Sequence, residues 1–211
     1  SDEPTGGPEL LVLSARDPAA LDELARRVAR SADGSLRDRC RTAAVGRSHM
    51  AERLAVVAGS EVDLARALER HLAGEPVPGL RRGRVPAGSP PRRVFVYSGQ
   101  GSQRPGMGLE LAAAFPVVRE SLERFDALYQ SRTGRSILEE LGRGDEDSWL
   151  GRTEIAQPAL LAIQVALTDL WRSWGISPDA VVGHSVGEIA AAHAAGALSL
   201  EDAVRVSCER G

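Results

Sequence analysis

The chain has 211 residues, 43% hydrophobic and 26% charged, enough to bury a core in one large domain or two small ones. Its 26 basic and 29 acidic residues leave a formal charge of -3, which gives no electrostatic footprint for nucleic acid. No run approaches the roughly 20 apolar residues that span a bilayer, and residues 1–7 are polar and acidic, unlike a signal peptide. Cys40 and Cys208 lie in different predicted segments, which argues against a disulfide framework, and neither has the neighbours of a metal ligand. A cytoplasmic protein with no metal, nucleic-acid or membrane partner is the expectation.

Residues 1–9 read as a flexible entry containing two glycines and two prolines. Leu10-Leu11-Val12-Leu13-Ser14 then has the apolar run of a short buried strand. Asp17-Pro18 supplies an N-cap and a first-turn proline for a helix reaching about Arg30, with Leu21, Leu24 and Val28 at helical spacing. A second helix over Leu36 to Ala44, a strand within Met50 to Ala58 and a third helix over 61–73 complete an alternating first unit of residues 10–75. His49 and His71 stand isolated in it, and surface or structural roles are expected of both.

Gly74 to Pro91 collects much of the chain's Pro and Gly and shows no sustained period, so residues 76–91 read as a connecting segment. Its arginines, Arg81, Arg82 and Arg84, with Arg92 and Arg93 beyond, read as a solvated linker. The second unit, 92–211, opens with the β-rich run Val94-Phe95-Val96-Tyr97 and continues with helices at about 107–114, 116–130 and 136–141. A long apolar helix from Pro158 to Trp174 ends at Gly175, a plausible helix-ending glycine. Asp179 to Gly183 is then a short strand running into a helix from about Glu188 to Ala195, and a last helix follows Ser199, whose hydroxyl can cap it. This order of strands, turns and helices indicates an α/β fold with a parallel core.

Gly183-His184-Ser185-Val186-Gly187 sits where the second strand of that unit becomes a helix, the context a nucleophile elbow needs. Glycines flank Ser185 because the turn leaves no room for side chains. The helix N-terminus and the Val186 N–H can there meet an oxyanion. A second glycine-rich turn, Gly99-Gln100-Gly101, ends the first strand, and in a parallel sheet both turns open on one edge. The Gln100 N–H is then a candidate second oxyanion donor. Neither GxGxxG nor GxxxxGK[ST] is present, so a phosphate-cradling loop is not indicated. His184 adjoins Ser185, but neighbouring elbow side chains diverge, so it reads as packing beside the nucleophile or orienting the site. His193, on the apolar helix that follows, reads as a core histidine.

Ser98-Gly99-Gln100-Gly101-Ser102-Gln103, Arg152-Thr153-Glu154-Ile155-Ala156-Gln157-Pro158-Ala159-Leu160 and Gly183-His184-Ser185-Val186-Gly187-Glu188 resemble, in the same order, the acyltransferase domains of type I polyketide synthases, relatives of malonyl-CoA:acyl-carrier-protein transacylases. Leu11-Val12-Leu13-Ser14-Ala15-Arg16 and Gly46-Arg47-Ser48-His49 resemble the linker subdomain that joins such a domain to the upstream ketosynthase. The resemblance implies a small α/β linker subdomain followed by the N-terminal part of an α/β-hydrolase-like, parallel-sheet acyltransferase core. It further implies that the chain stops before the family's ferredoxin-like subdomain and catalytic histidine, leaving it inactive alone. Ser185 would take an acyl group from acyl-CoA and pass it to the phosphopantetheine thiol of an acyl carrier protein, with Gln100 and Val186 as oxyanion donors. No bound cofactor is implied. Gln157 and His184 would line the site and Arg210 would hold the carboxylate of a malonyl-type unit. Val186, where methylmalonyl-selective relatives commonly carry Gln, favours malonyl. Two other readings fit parts of the pattern: a serine esterase sharing the elbow, and a non-catalytic docking fragment.

Overall fold

A computed structural model describes residues 7–31, 34–88 and 92–210. Most of the entry expected at 1–9 therefore lies outside the described residues. The chain divides into two compact units, 1–91 and 92–211.

In the first unit β1 (Glu9–Ala15) pairs antiparallel with β2 (Glu52–Ala58), from Glu9 opposite Ala58 to Ala15 opposite Glu52. Side chains alternate along a strand, so Leu11, Leu13, Leu54 and Val56 share one face and are buried under α1 (Pro18–Arg30) and α3 (Glu61–Leu72). The Asp17 carboxylate caps α1 by accepting the Ala20 N–H at 2.9 Å, as its position before Pro18 suggested. α2 (Leu36–Val45) is capped by Ser35 and packs on β1.

The stretch without periodicity holds a strand. β3 (Leu80–Arg84) pairs antiparallel with β2 at the sheet edge. Only Leu80 of it is buried, so it carries no hydrophobic alternation to read. Ladder hydrogen bonds hold it, together with ion pairs from Arg82 to Asp22 (2.6 Å) and from Arg84 to the buried Glu52 (2.9 Å). A row of arginines on an exposed edge also discourages pairing with another chain. The reading of Arg81, Arg82 and Arg84 as a solvated linker is corrected accordingly.

In the second unit β4 (Val94–Tyr97) and β5 (Ala180–Gly183) form a parallel pair, Val94 opposite Ala180 and Tyr97 opposite Gly183. Around it lie α4 (Leu109–Ala114), α5 (Pro116–Thr133), α6 (Ile137–Leu141), α7 (Thr153–Ser173), α8 (Gly187–Ala194) and α9 (Leu200–Arg210). α7 packs against α5, α8 and α9 and is buried on most of its surface, the pattern of a central helix. It begins five residues before Pro158, where sequence reading started it. Proline there forfeits one second-turn hydrogen bond, and burial of Ile155, Ala156 and Gln157 keeps the preceding turn helical. Val118, Leu122 and Phe125 of α5 meet Leu161 and Val165 of α7 in a core that also takes in Val186 and Ile189. One side of the β4–β5 pair is open, with Val94, Val96 and Val182 exposed. Among the described residues no helix is long and apolar enough to cross a membrane.

The two strands are tied at their starts as well. The Arg93 N–H donates to the Asp179 carboxylate at 2.7 Å, and the Arg93 guanidinium lies 3.7 Å from the same oxygen. That N–H, with the Arg93 charge behind it, holds the Asp179 carboxyl below its ordinary value. A lowered folded-state value stabilises the fold fully above the unfolded value of about 4 and is lost as pH falls through the folded value. Chemical denaturation of Asp179→Asn should therefore show a deficit against the parent at neutral pH that narrows on acidification below about pH 4.

Candidate active site

The parallel register sets the geometry. With Tyr97 opposite Gly183, the strands end together and their two turns leave the sheet side by side. The His184 N–H donates to the Tyr97 carbonyl at 3.0 Å, carrying the ladder one step into the turn. Ser185 follows with φ of 54°, the only non-glycine residue at positive φ among those described. A left-handed serine is strained and persists only where its surroundings over-determine it. Here the Gly187 N–H bonds the His184 carbonyl and the Glu188 N–H bonds the Ser185 carbonyl, both at 3.0 Å, starting α8 directly beneath the serine.

The flanking glycines are required by contact. A Cβ on Gly187 would lie 2.2 Å from the Tyr97 carbonyl oxygen and 2.7 Å from that of Ser98. One on Gly183 would lie 2.4 Å from the Gly187 carbonyl oxygen. One on Gly99 would meet His184 Nδ1 at 2.8 Å and the Ser185 Cβ at 3.3 Å. The Gly99-Gln100-Gly101 turn therefore lies directly against the elbow, and His184 packs its imidazole on the Gly99 backbone.

Ser185, His184 and Gln100 are exposed, whereas the Val186 side chain is fully buried in the core. Among the described residues neither the Gln100 N–H nor the Val186 N–H has an acceptor, and the Ser185 hydroxyl has no partner. Two unengaged donors beside an exposed hydroxyl at a helix N-terminus can stabilise an oxyanion formed when that hydroxyl attacks a carbonyl. Among the described residues no side chain is hydrogen-bonded to Ser185 as a base. The His193 Nδ1–H donates to the Leu198 carbonyl oxygen at 3.0 Å, which ties the end of α8 to the turn that follows it. Among the described residues no group of three His, Cys, Asp or Glu side chains could hold a metal.

Gln157 lies on α7, buried, with its Oε1 lacking any partner. Arg210 is the last residue of α9, exposed, with no carboxylate paired to it among the described residues. Sequence reading missed Gln164. Its Nε2 donates to the Ser98 carbonyl at 2.8 Å, at the root of the glycine turn. The available signal was a polar stripe inside an apolar helix: Gln157, Gln164 and Thr168 recur at spacings of seven and four, one helix face. A cleft of about 460 Å³ lies in the first unit between Leu11, Leu13, Arg27 and Arg39, and its lining takes no residue from either glycine turn. Backbone geometry, not concavity, locates the site.

The family profile described as Acyl transferase domain matches residues 94–211. The chain belongs to the acyl transferase domains of type I polyketide synthases. A second profile, CurL-like, PKS C-terminal, matches residues 9–68. Polyketide synthase GfsA of Streptomyces halstedii is 47% identical over 203 residues, which are 92% of this chain and 3% of that protein. The acyl transferase domain of ZmaA superposes with a TM-score of 0.86 at 30% identity, over 100% of this chain and 48% of that one. The acyl transferase domain of SpnD, solved in complex with 2-(pent-4-yn-1-yl)malonyl, gives 0.77 at 30% identity, over 96% of this chain and 48% of that one. The chain thus spans about half the length of these solved acyl transferase domains.

Proposed function

We propose that this chain supplies the nucleophile and oxyanion hole of an acyltransferase that moves a malonyl-type unit from coenzyme A to an acyl carrier protein. The Ser185 hydroxyl attacks the thioester carbonyl, and its proton passes to a base. The resulting oxyanion is held by the Gln100 and Val186 N–H groups until the coenzyme A thiolate leaves as the thiol. The phosphopantetheine thiol of the carrier then attacks the Ser185 ester, forming the carrier thioester and restoring the hydroxyl. Among the described residues no side chain is hydrogen-bonded to Ser185 and the His184 imidazole packs on Gly99, so the reading assigns the base to polypeptide outside this chain. A neighbouring ketosynthase would use the loaded carrier.

The observation that carries this reading is the pair of unengaged N–H groups on two turns packed against one exposed, left-handed serine. Membership in the acyl transferase family, and the malonyl derivative bound by the SpnD domain, support the substrate class. The likeness to relatives that commonly carry Gln at this position when selective for methylmalonyl favours malonyl for a chain with Val186. Arg210 is assigned to the free carboxylate of the malonyl group, a task suited to a bidentate guanidinium.

Intact-mass analysis with malonyl-CoA tests the proposal. The chain is assayed alone and with a polypeptide carrying the half of the solved domains that it does not match. A malonyl adduct dependent on Ser185 supports the reading, and its absence from the complemented sample overturns it. Arg210→Ala should reduce malonyl loading by about 10- to 100-fold, the value of a charge-assisted pair, while leaving acetyl loading nearly unchanged.

A further inference from the structure

The loop that carries the Gln100 N–H has little of its own to hold it. Gly99 and Gly101 flank Gln100, and Gly101 sits at φ of 137°, a conformation L side chains rarely adopt. Glycines leave the backbone free, so the direction of the N–H between them depends on anchors from elsewhere. On the far side the Gly101 N–H is taken by Gln103 Oε1 at 2.8 Å, and Gln103 Nε2 donates in turn to the Leu150 carbonyl at 3.3 Å. On the near side the anchor is Gln164 of α7, whose Nε2 donates to the Ser98 carbonyl at 2.8 Å.

Gln164 is 9% exposed, and its Oε1 is buried without a partner. A buried acceptor left unmet is unfavourable, and a leucine of similar volume would avoid it. What the amide alone supplies is a donor on Ser98. The helix beneath the amide is tied to β4: Thr168 donates its hydroxyl to the main-chain carbonyl of Gln164 at 2.7 Å, and the Tyr97 hydroxyl lies 2.9 Å from the same Thr168 oxygen.

We propose that Gln164 is a positioning residue for acyl transfer: its amide fixes the Ser98–Gly99 peptide so that the Gln100 N–H points at the developing oxyanion. The inference rests on the acyl-Ser185 reading above. It distinguishes a donor from mere bulk, because only a group that gives a hydrogen bond to Ser98 can do the work.

The test compares Gln164→Leu and Gln164→Glu in the complemented sample, measuring the kcat and KM of Ser185 acylation from malonyl-CoA between about pH 5 and about pH 9. Circular dichroism establishes that each variant stays folded across the range. Gln164→Leu should lower kcat by about tenfold at every pH, with KM little changed, because the donor serves the transition state. Burial at this position should push the carboxyl of Gln164→Glu above the ordinary glutamate range, so the variant should match the parent at the low end of the pH range, where the protonated carboxyl can donate to Ser98. Its rate relative to the parent should then fall toward that of the leucine variant as the carboxyl ionises and repels the carbonyl. A folded Gln164→Leu acylating at the parental rate, or a Gln164→Glu-to-parent ratio flat with pH, overturns the inference and leaves the acyl-Ser185 reading intact. A parent that gives no Ser185-dependent adduct removes that reading, and the inference falls with it.

Discussion

Ser185→Ala is expected to abolish the malonyl adduct, lowering acyl transfer by about 10⁴-fold or more, because the attacking oxygen is lost and two N–H groups that only stabilise an oxyanion cannot replace it. Loss of the nucleophile should leave the fold alone, since alanine tolerates φ of 54° no better and no worse than serine. Ser185→Gly separates the two effects more sharply. It removes the hydroxyl and also the left-handed strain, so it should be as inactive as the alanine variant yet more stable by about 0.5–1 kcal/mol in chemical denaturation. A glycine variant less stable than the parent would show that the turn is not strained, and a labelled alanine variant would place the nucleophile elsewhere.

Gly187→Ala carries the largest expected loss of stability from so small a change. The added Cβ would stand 2.2 Å from the Tyr97 carbonyl oxygen, a backbone atom that also accepts the His184 N–H. No rotamer relieves such a contact. Either α8 moves off the end of β4 or the ladder step between the strands breaks, and about 3 kcal/mol should be lost by denaturant titration. Gly144 is the control, since a Cβ there meets nothing within 4 Å and the φ is ordinary. Gly144→Ala should change stability little. If Gly187→Ala proved equally silent, the close approach of the two turns would be wrong, and with it the pairing of Gln100 with Val186.

The elements legible in the sequence were those with a local cause. The Asp17-Pro18 cap, the Ser199 cap donating to and accepting from Asp202, and the apolar runs at Leu11–Leu13 and Val94–Tyr97 all appear where local rules put them. β3 was not legible because an edge strand with one buried residue has no pattern to show. The true start of α7 was hidden because Pro158 looks like a first-turn residue, and only tertiary burial of Ile155 and Gln157 overrides that preference. Gln164 was passed over because a glutamine in an apolar helix announces no partner until the fold brings Ser98 to it across 66 residues.

By itself the sequence determined which residues could take part: a serine between glycines at a strand-to-helix junction, and a second glycine turn after an earlier strand. Steric limits at such turns are local, so they leave a mark in residue type. Only the tertiary structure decided that the turns lie against each other, that the Gln100 and Val186 N–H groups are both unengaged, and that Gln164 holds one of the loops. Those facts depend on the parallel register of β4 with β5 and on α7 packing beneath them, and contacts between distant segments leave no local pattern to read.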